Sequence, residues 1–403
     1  MDNWFIPSKE EFPFQRSMLH LGLNKAVRYY RELVVPGIGG VWFVRQLCWA
    51  VAGIKLSEKS RLGQSVSIAN AIEALACKLM WKQNDETGGI KGKMAFGKYP
   101  DTWGFKELSQ SKYYVQVRFR QSTVRALLGL GLTQGGFRFN GMELTSQGED
   151  LANAFLSQNW VGKKLLEWLD GKTIPKTGKI VKGLGRYDAT ADEKEIVRNR
   201  LCTDVYDEIG LPSRRKNLIR VLKNRKNMPA LKNIKEKLLL EKQVQEIETA
   251  EAFDAMLCKA QNLIHECARE LESAQTSSID ILAKKLPKSI LELKGLAGEY
   301  LEMAQECGKS HPDAKNFAQE VQESDREIIL LEKVALRDGS IVAFSDGKIL
   351  QGPLFDRHKQ IASCSSEQNN GEDEKEVASE ESSTTRKIEQ LFSLWRDCYE
   401  GKH

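Results

Sequence analysis

The stretch from Ser109 to Leu156 constrains this chain more than any other. Apolar spacing predicts a helix over Val115–Leu130, with Val117, Val124, Leu127, Leu128 and Leu130 inward. Arg118, Arg120, Gln121, Ser122 and Arg125 would face outward, and Gly129 and Gly131 would end the helix. Phe105–Ser111 reads as a short element before it. Phe137–Asn140 and Met142–Leu144 read as strands joined by Asn140-Gly141, a residue pair that tolerates the positive φ of a two-residue hairpin. Thr145 then reads as the N-cap of a helix that buries Leu151, Ala152, Ala154, Phe155 and Leu156.

Around that stretch the chain reads as mainly α. At 403 residues it is long for a single core. Residues 1–186 form an aromatic-rich N-terminal region, holding Trp4, Phe5, Phe12, Phe14, Tyr29, Tyr30, Trp42, Phe43 and Trp49. Helices are expected over Asn24–Leu33, Val41–Ile54, Ser57–Trp81 and Trp160–Leu169. The Gly/Lys-rich connector 171–185 reads as a domain boundary. A helical domain follows over 187–335, with helices over Ala191–Ile209, Leu238–Ala274, Leu282–Cys307 broken by Pro287, and Asp313–Leu331. A small β-hairpin element at 336–362 turns on Asp346-Gly347. Residues 363–385 have the Glu- and Ser-rich composition of a disordered acidic linker. The amphipathic helix 386–403 closes the chain. Its Ile388, Leu391, Leu394 and Trp395 share one face; so short a helix must dock either on the body of this chain or on a partner, and the tether before it favours a partner-binding surface.

Charge is distributed unevenly. Residues 1–186 hold 27 Lys and Arg against 15 Asp and Glu, a surplus of 12 positive charges. Residues 187–403 hold 33 against 40, a deficit of 7. A basic half suggests a polyanionic partner. Within the acidic half, residues 212–237 carry ten cations and one acid, Glu236. Of these, Arg214, Arg215 and Lys216 are candidate phosphate contacts, as are Lys91 and Lys93 of the glycine-rich loop Asn84–Tyr99. That loop lacks the GxxxxGK[ST] spacing of a phosphate-binding loop. The 212–237 run has no interleaved aromatics, so it is not read as a base-stacking surface. Its alternative is a solvated face pairing with acidic segments.

The 109–156 stretch resembles the closing half of winged helix-turn-helix DNA-binding domains. The resemblance covers about 50 residues: the basic helix, the strands around Asn140-Gly141, and Leu144-Thr-Ser-Gln-Gly opening a helix. It implies Arg118, Arg120, Gln121, Ser122 and Arg125 as groove contacts and Arg138 as the wing contact on double-stranded DNA. The one-arginine wing departs from the pattern. The overall layout also resembles accessory proteins of multi-gene prokaryotic defence systems. That implies an antiviral role beside other subunits such as a helicase or nuclease.

The expected function is therefore non-catalytic DNA binding within a complex, with no cofactor and no metal. Two rivals remain: a protein scaffold using the same fold as an interface, and a metal-dependent nuclease built near Asp338, Asp346, Asp356 and His358. The eight cysteines show no paired metal-ligand spacing, and His265-Glu266 lacks a second histidine. The longest apolar stretch, Val34–Ile54, is broken by Pro36, glycines, Arg45 and Gln46, so no membrane span is expected. The N-terminus shows no signal pattern, and a cytoplasmic location follows.

Overall fold

A computed structural model describes residues 21–59, 64–82, 91–98, 103–110, 113, 115, 118–158, 161–174, 183–203, 214–272, 274–356 and 382–399. Trp4, Phe5, Phe12, Phe14, Val117, His358 and most of the 363–385 segment lie outside these residues, as does the side chain of Lys93. The protein is mainly helical. In chain order the helices are α1 (Asn24–Val34), α2 (Val44–Lys59), α3 (Ser65–Lys82), α4 (Lys93–Lys98), α5 (Phe105–Ser109) and α6 (Phe119–Gly129). Strands β1 (Thr133–Gly135) and β2 (Met142–Leu144) come next, then α7 (Ser146–Ser157), α8 (Val161–Leu169), α9 (Ala191–Leu201), α10 (Arg214–Leu222), α11 (Leu231–Lys235) and α12 (Glu241–Glu270). The chain continues through β3 (Thr276–Ser278), α13 (Ile279–Lys285), α14 (Pro287–Cys307), α15 (Pro312–Gln322), α16 (Glu327–Asp338), β4 (Val342–Ser345), β5 (Lys348–Gln351) and α17 (Ser383–Asp397).

The chain divides into a smaller unit, Met1–Tyr29 with Glu251–Asn370, and a larger one, Tyr30–Ala250 with Gly371–His403. The 171–185 connector is therefore not the boundary its composition suggested. Its end is core: Leu184 is fully buried, Trp49 Nε1 donates to the Leu184 carbonyl at 3.1 Å, and Arg45 donates to the Gly183 carbonyl at 2.8 Å. Glycine-rich composition reads as linker, yet here small residues leave carbonyls open to buried donors.

In the smaller unit, Asp346 (φ 50°) and Gly347 (φ 73°) make the expected tight turn between β4 and β5. The hairpin is not a separate element. β3, from between α12 and α13, pairs with β5 in the order β3-β5-β4. The Asp338 carboxylate at the end of α16 accepts from the amides of Ile341 at 2.9 Å and Val342 at 2.7 Å, which aims the chain into β4. Pro287 starts α14, and Pro312 starts α15, at the first helical position where the missing N–H costs nothing.

In the larger unit, α2 packs against α3, α6 and α7. From Ile68 to Met80 every residue of α3 is buried, so this helix is central. The arginine-bearing helix α6 begins at Phe119, four residues later than the spacing predicts. Its own sequence offers no side-chain cap. Glu73 of α3 supplies one instead, accepting from the amides of Phe119 at 2.8 Å and Arg120 at 2.9 Å. A carboxylate at this end also meets the positive pole of the helix dipole.

The hairpin after α6 differs from its prediction. Thr133–Gly135 is the partner of β2, with Thr133 opposite Leu144 and Gly135 opposite Met142. Asn140 and Gly141 form a 3-10 turn in the connecting loop, and neither has positive φ. Asn140 is engaged elsewhere. Its Oδ1 accepts from the Val66 amide at 3.0 Å and the Ser65 hydroxyl at 3.1 Å, and its Nδ2 donates to Gln64 Oε1 at 2.9 Å. A tertiary cap on α3 thus replaces the expected turn. Thr145 does cap α7, accepting from the Gly148 amide at 3.2 Å.

The terminal helix α17 packs on its own chain, against α9 and α10. Ile388, Leu391 and Leu394 are fully buried there and Trp395 is nearly so. This corrects the partner-binding reading of these four residues: the chain itself occupies the apolar face. Polar contacts fix the register. The Val44 amide donates to Asp397 Oδ2 at 2.7 Å, Arg31 Nε to Ser383 Oγ at 2.6 Å, and Arg396 Nη1 to the Lys226 carbonyl at 2.9 Å.

Two stability outcomes follow. Asn140→Ala should cost about 0.5–2 kcal/mol, the usual value of a lost cap. Gly141→Ala should be near neutral, because a Cβ there meets open space and its φ is not positive. Chemical denaturation of the two variants checks both. In the same assay Leu391→Ala should cost about 2–5 kcal/mol through the cavity it leaves. An unchanged midpoint would mean that α17 does not pack on this body.

Candidate nucleic-acid interface

The candidate surface is built on α10, whose two faces carry the same residue types with opposite fates. On the inner side Arg214 forms a bidentate pair with the buried Glu246 of α12, at 2.8 and 2.9 Å. Arg215 is 1% exposed and donates to the carbonyls of Pro36, Gly129, Arg200 and Thr203. Gly129 and Arg200 end α6 and α9, so one guanidinium satisfies carbonyls that those helices leave unpaired. Asn217 Nδ2 donates to Gln243 Oε1 at 2.8 Å, while Leu218, Ile219 and Leu222 enter the core.

On the outer side Lys216, Arg220 and Lys223 fall at i, i+4 and i+7 and are exposed. Asn224, in the left-handed conformation (φ 65°), ends the helix and turns the chain into Arg225 and Lys226. Arg220 Nη2 donates to the Lys237 carbonyl at 2.6 Å, which holds the α11 segment beside α10. Between them lies an open recess of about 390 Å³ lined by Arg220, Val221, Lys223, Asn224, Arg225 and Lys237. Lys226 and Lys232 are exposed on the same loop and helix. Among the described residues no salt bridge neutralises Lys223, Arg225, Lys226, Lys232 or Lys237. Of the three residues expected to contact phosphate here, Arg214 and Arg215 are engaged on the inner side and Lys216 is exposed. A helical period of 3.6 applied to the apolar Leu218, Ile219 and Leu222 would have placed Arg215 inward and Arg220 and Lys223 outward.

The α6 candidates are scattered. Arg118 is 2% exposed and donates to the Gln110 carbonyl, so it is a buried strut and not a groove contact. Arg120 is half-buried, with Nε donating to Asn70 Oδ1 at 2.8 Å and its guanidinium 5.2 Å above the Phe139 ring. Ser122 turns its hydroxyl to the Phe119 carbonyl at 2.7 Å, and its carbonyl accepts from the Gly40 amide at 2.8 Å. Lys91 is half-buried with its ammonium 4.8 Å above the Phe119 ring. Gln121, Arg125 and Arg138 are exposed, and Arg125 lies 3.8 Å from Glu32.

One side of α6 is covered by the Pro36–Gly40 loop. A Cβ on Gly39 (φ 49°) would lie 2.5 Å from the Ser122 carbonyl oxygen, so only glycine allows this approach. The loop is in turn held by Lys387 of α17, whose ammonium donates to the Gly39 carbonyl. Burial lowers the Lys387 pKa to about 8, with Glu32 opposing the shift and Arg31 and Arg125 adding to it.

Of the groups weighed for a nuclease, His358 lies outside the described residues. Asp338 is committed to the β4 entry, and Asp346 sits in the hairpin turn. Among the described residues no three His, Cys, Asp or Glu side chains are arranged to hold a metal ion, and no helix is long and apolar enough to cross a membrane. No family model, curated protein or solved structure matches this chain.

The Lys387 ammonium yields a pH outcome. Its folded value lies below the unfolded 10.5, so burying the charge is a cost carried in full below about pH 8. The folded state then sheds its proton first, and the cost fades as pH rises towards 10.5. The stability of the wild type relative to Lys387→Met should therefore rise across that window. A difference that stays flat between these limits, measured by denaturant unfolding, would contradict it.

Proposed function

We propose that this protein binds nucleic acid, mainly through the sugar–phosphate backbone, and that the outer face of α10, the loop after it and α11 are its principal contact. One observation carries the reading: Lys223, Arg225 and Lys237 line an open recess, Lys226 and Lys232 are exposed in the same loop and in α11, and none of the five has a salt-bridge partner among the described residues. Like charges held together repel and gain nothing for folding. A polyanion relieves that repulsion and releases its own condensed counterions. The absence of aromatics from this segment favours phosphate contact over base stacking there.

The helices up to α6 followed by the β1–β2 hairpin resemble a winged helix-turn-helix in order, and this likeness supports a second contact. With Arg118 internal and Arg120 turned to Asn70, such a contact would fall to Gln121, Arg125 and Arg138. A helix face with so few free donors suits positioning on a backbone better than reading of base edges.

The test is titration of a labelled duplex with the whole chain, followed by anisotropy across a salt series. Binding should weaken steeply with salt. Combined Lys223→Ala, Arg225→Ala, Lys232→Ala and Lys237→Ala should flatten the log–log slope by roughly 0.9 for each phosphate contact removed. All four side chains are exposed, so the fold should survive. Binding that ignores salt, or a slope the variant leaves unchanged, rejects this surface.

A further inference from the structure

We propose that the tip of the β1–β2 hairpin is a stacking site for an unpaired nucleobase, with Phe137 as the platform and Arg138 beside it for the adjoining phosphate. This rests on the nucleic-acid reading above and narrows its substrate to duplex bearing a single-stranded end or opening.

Phe137 is 82% exposed, the most exposed large hydrophobic residue among the described residues. The other exposed aromatics are already covered in part. Tyr399 lies 4.6 Å from the Trp395 ring and 5.2 Å from the Arg198 guanidinium, and Tyr187 lies 5.2 Å from the Arg186 guanidinium. No ring or cation contact of this kind involves Phe137 among the described residues.

Its exposure is enforced by its neighbours. Two residues on, Phe139 is 4% exposed, with the Arg120 guanidinium over its ring. The next residue, Asn140, is bound to Gln64, Ser65 and Val66 at the start of α3. The Gly141 amide donates to the Arg138 carbonyl at 2.8 Å, closing the turn. On the other side, a Cβ on Gly136 would meet nothing closer than the Arg138 nitrogen at 4.0 Å, so the loop is open at that residue. A chain that pins three consecutive positions and leaves the aromatic before them in water presents that ring at low entropic cost to a ligand.

The ligand chemistry follows from the pair. A planar ring with an adjacent guanidinium suits a base and its phosphate, because every base offers a π-face and Arg adds charge. Bases inside an intact duplex are already stacked on each other. Only an unpaired base at an end, tail or opening can take the Phe137 face without the cost of unstacking.

The experiment compares a blunt labelled duplex with the same duplex carrying a single-stranded tail, using the full chain. The wild type should prefer the tailed form. Phe137→Ala should remove about tenfold of affinity for that form and leave the blunt duplex unchanged, while Phe137→Trp should retain the preference. 2-Aminopurine placed in the tail should be quenched by the wild type and not by Phe137→Ala. Equal affinity of the wild type for both forms overturns the proposal, as does an equal loss on both forms in Phe137→Ala. In either case a salt slope that still depends on Lys223 and Arg225 leaves the backbone-binding reading standing. Binding to neither form removes both.

Discussion

The larger unit depends on one buried ion pair. Arg45 of α2 and Glu193 of α9 are both fully buried, with Nη1 and Oε1 3.3 Å apart. Each partner does further work. Arg45 donates to the Gly183 and Asp188 carbonyls and to Gln158 Oε1 at the end of α7, and its guanidinium lies 5.0 Å over the Phe155 ring. Glu193 closes the capping box of α9, accepting from the Thr190 amide at 2.5 Å while its own amide donates to Thr190 Oγ1 at 3.3 Å. The pair thus joins α2, α7, α9 and the 183–188 segment at one point. Burying two charges costs several kcal/mol each before their attraction and hydrogen bonds offset it. What the arrangement secures is placement: with either partner neutralised, the other would be a lone buried charge.

The same economy of donors runs through the unit. Arg118, Arg200 and Arg215 all spend guanidinium N–H groups on main-chain carbonyls, several of them at helix ends. A planar fork with five donors can satisfy carbonyls from different elements at once, which an ammonium on a flexible stem cannot do as well. Arg45, Arg118 and Arg215 therefore belong to the interior. The exposed cations of α10, α11 and the loop between them include Lys216, Arg220, Lys223, Arg225, Lys226 and Lys232. A surplus of 12 positive charges over residues 1–186 is thus a poor map of where a polyanion would lie.

What was legible in the sequence was local. The break at Pro287, the threonine cap of α7 and the Asp346-Gly347 turn each rest on one residue's own geometry, and each is found as read. The existence of the long helices followed from apolar spacing of 3.6. Local rules failed where a distant group outbid the near one. Asn140-Gly141 has the composition of a hairpin turn, but Asn140 serves the start of α3, 74 residues earlier in sequence. The start of α6 is fixed by Glu73, 46 residues away from Phe119.

The sequence by itself determined the helical class, most element positions and the density of cations over residues 212–237, because propensity, capping and charge are properties of short segments. Only the tertiary structure decided which cations face water, that residues 183–185 are core, and that α17 folds back onto its own chain. The physical reason is shared. A buried donor or apolar face must find its partner wherever the fold brings one, and sequence distance sets no limit on where that is.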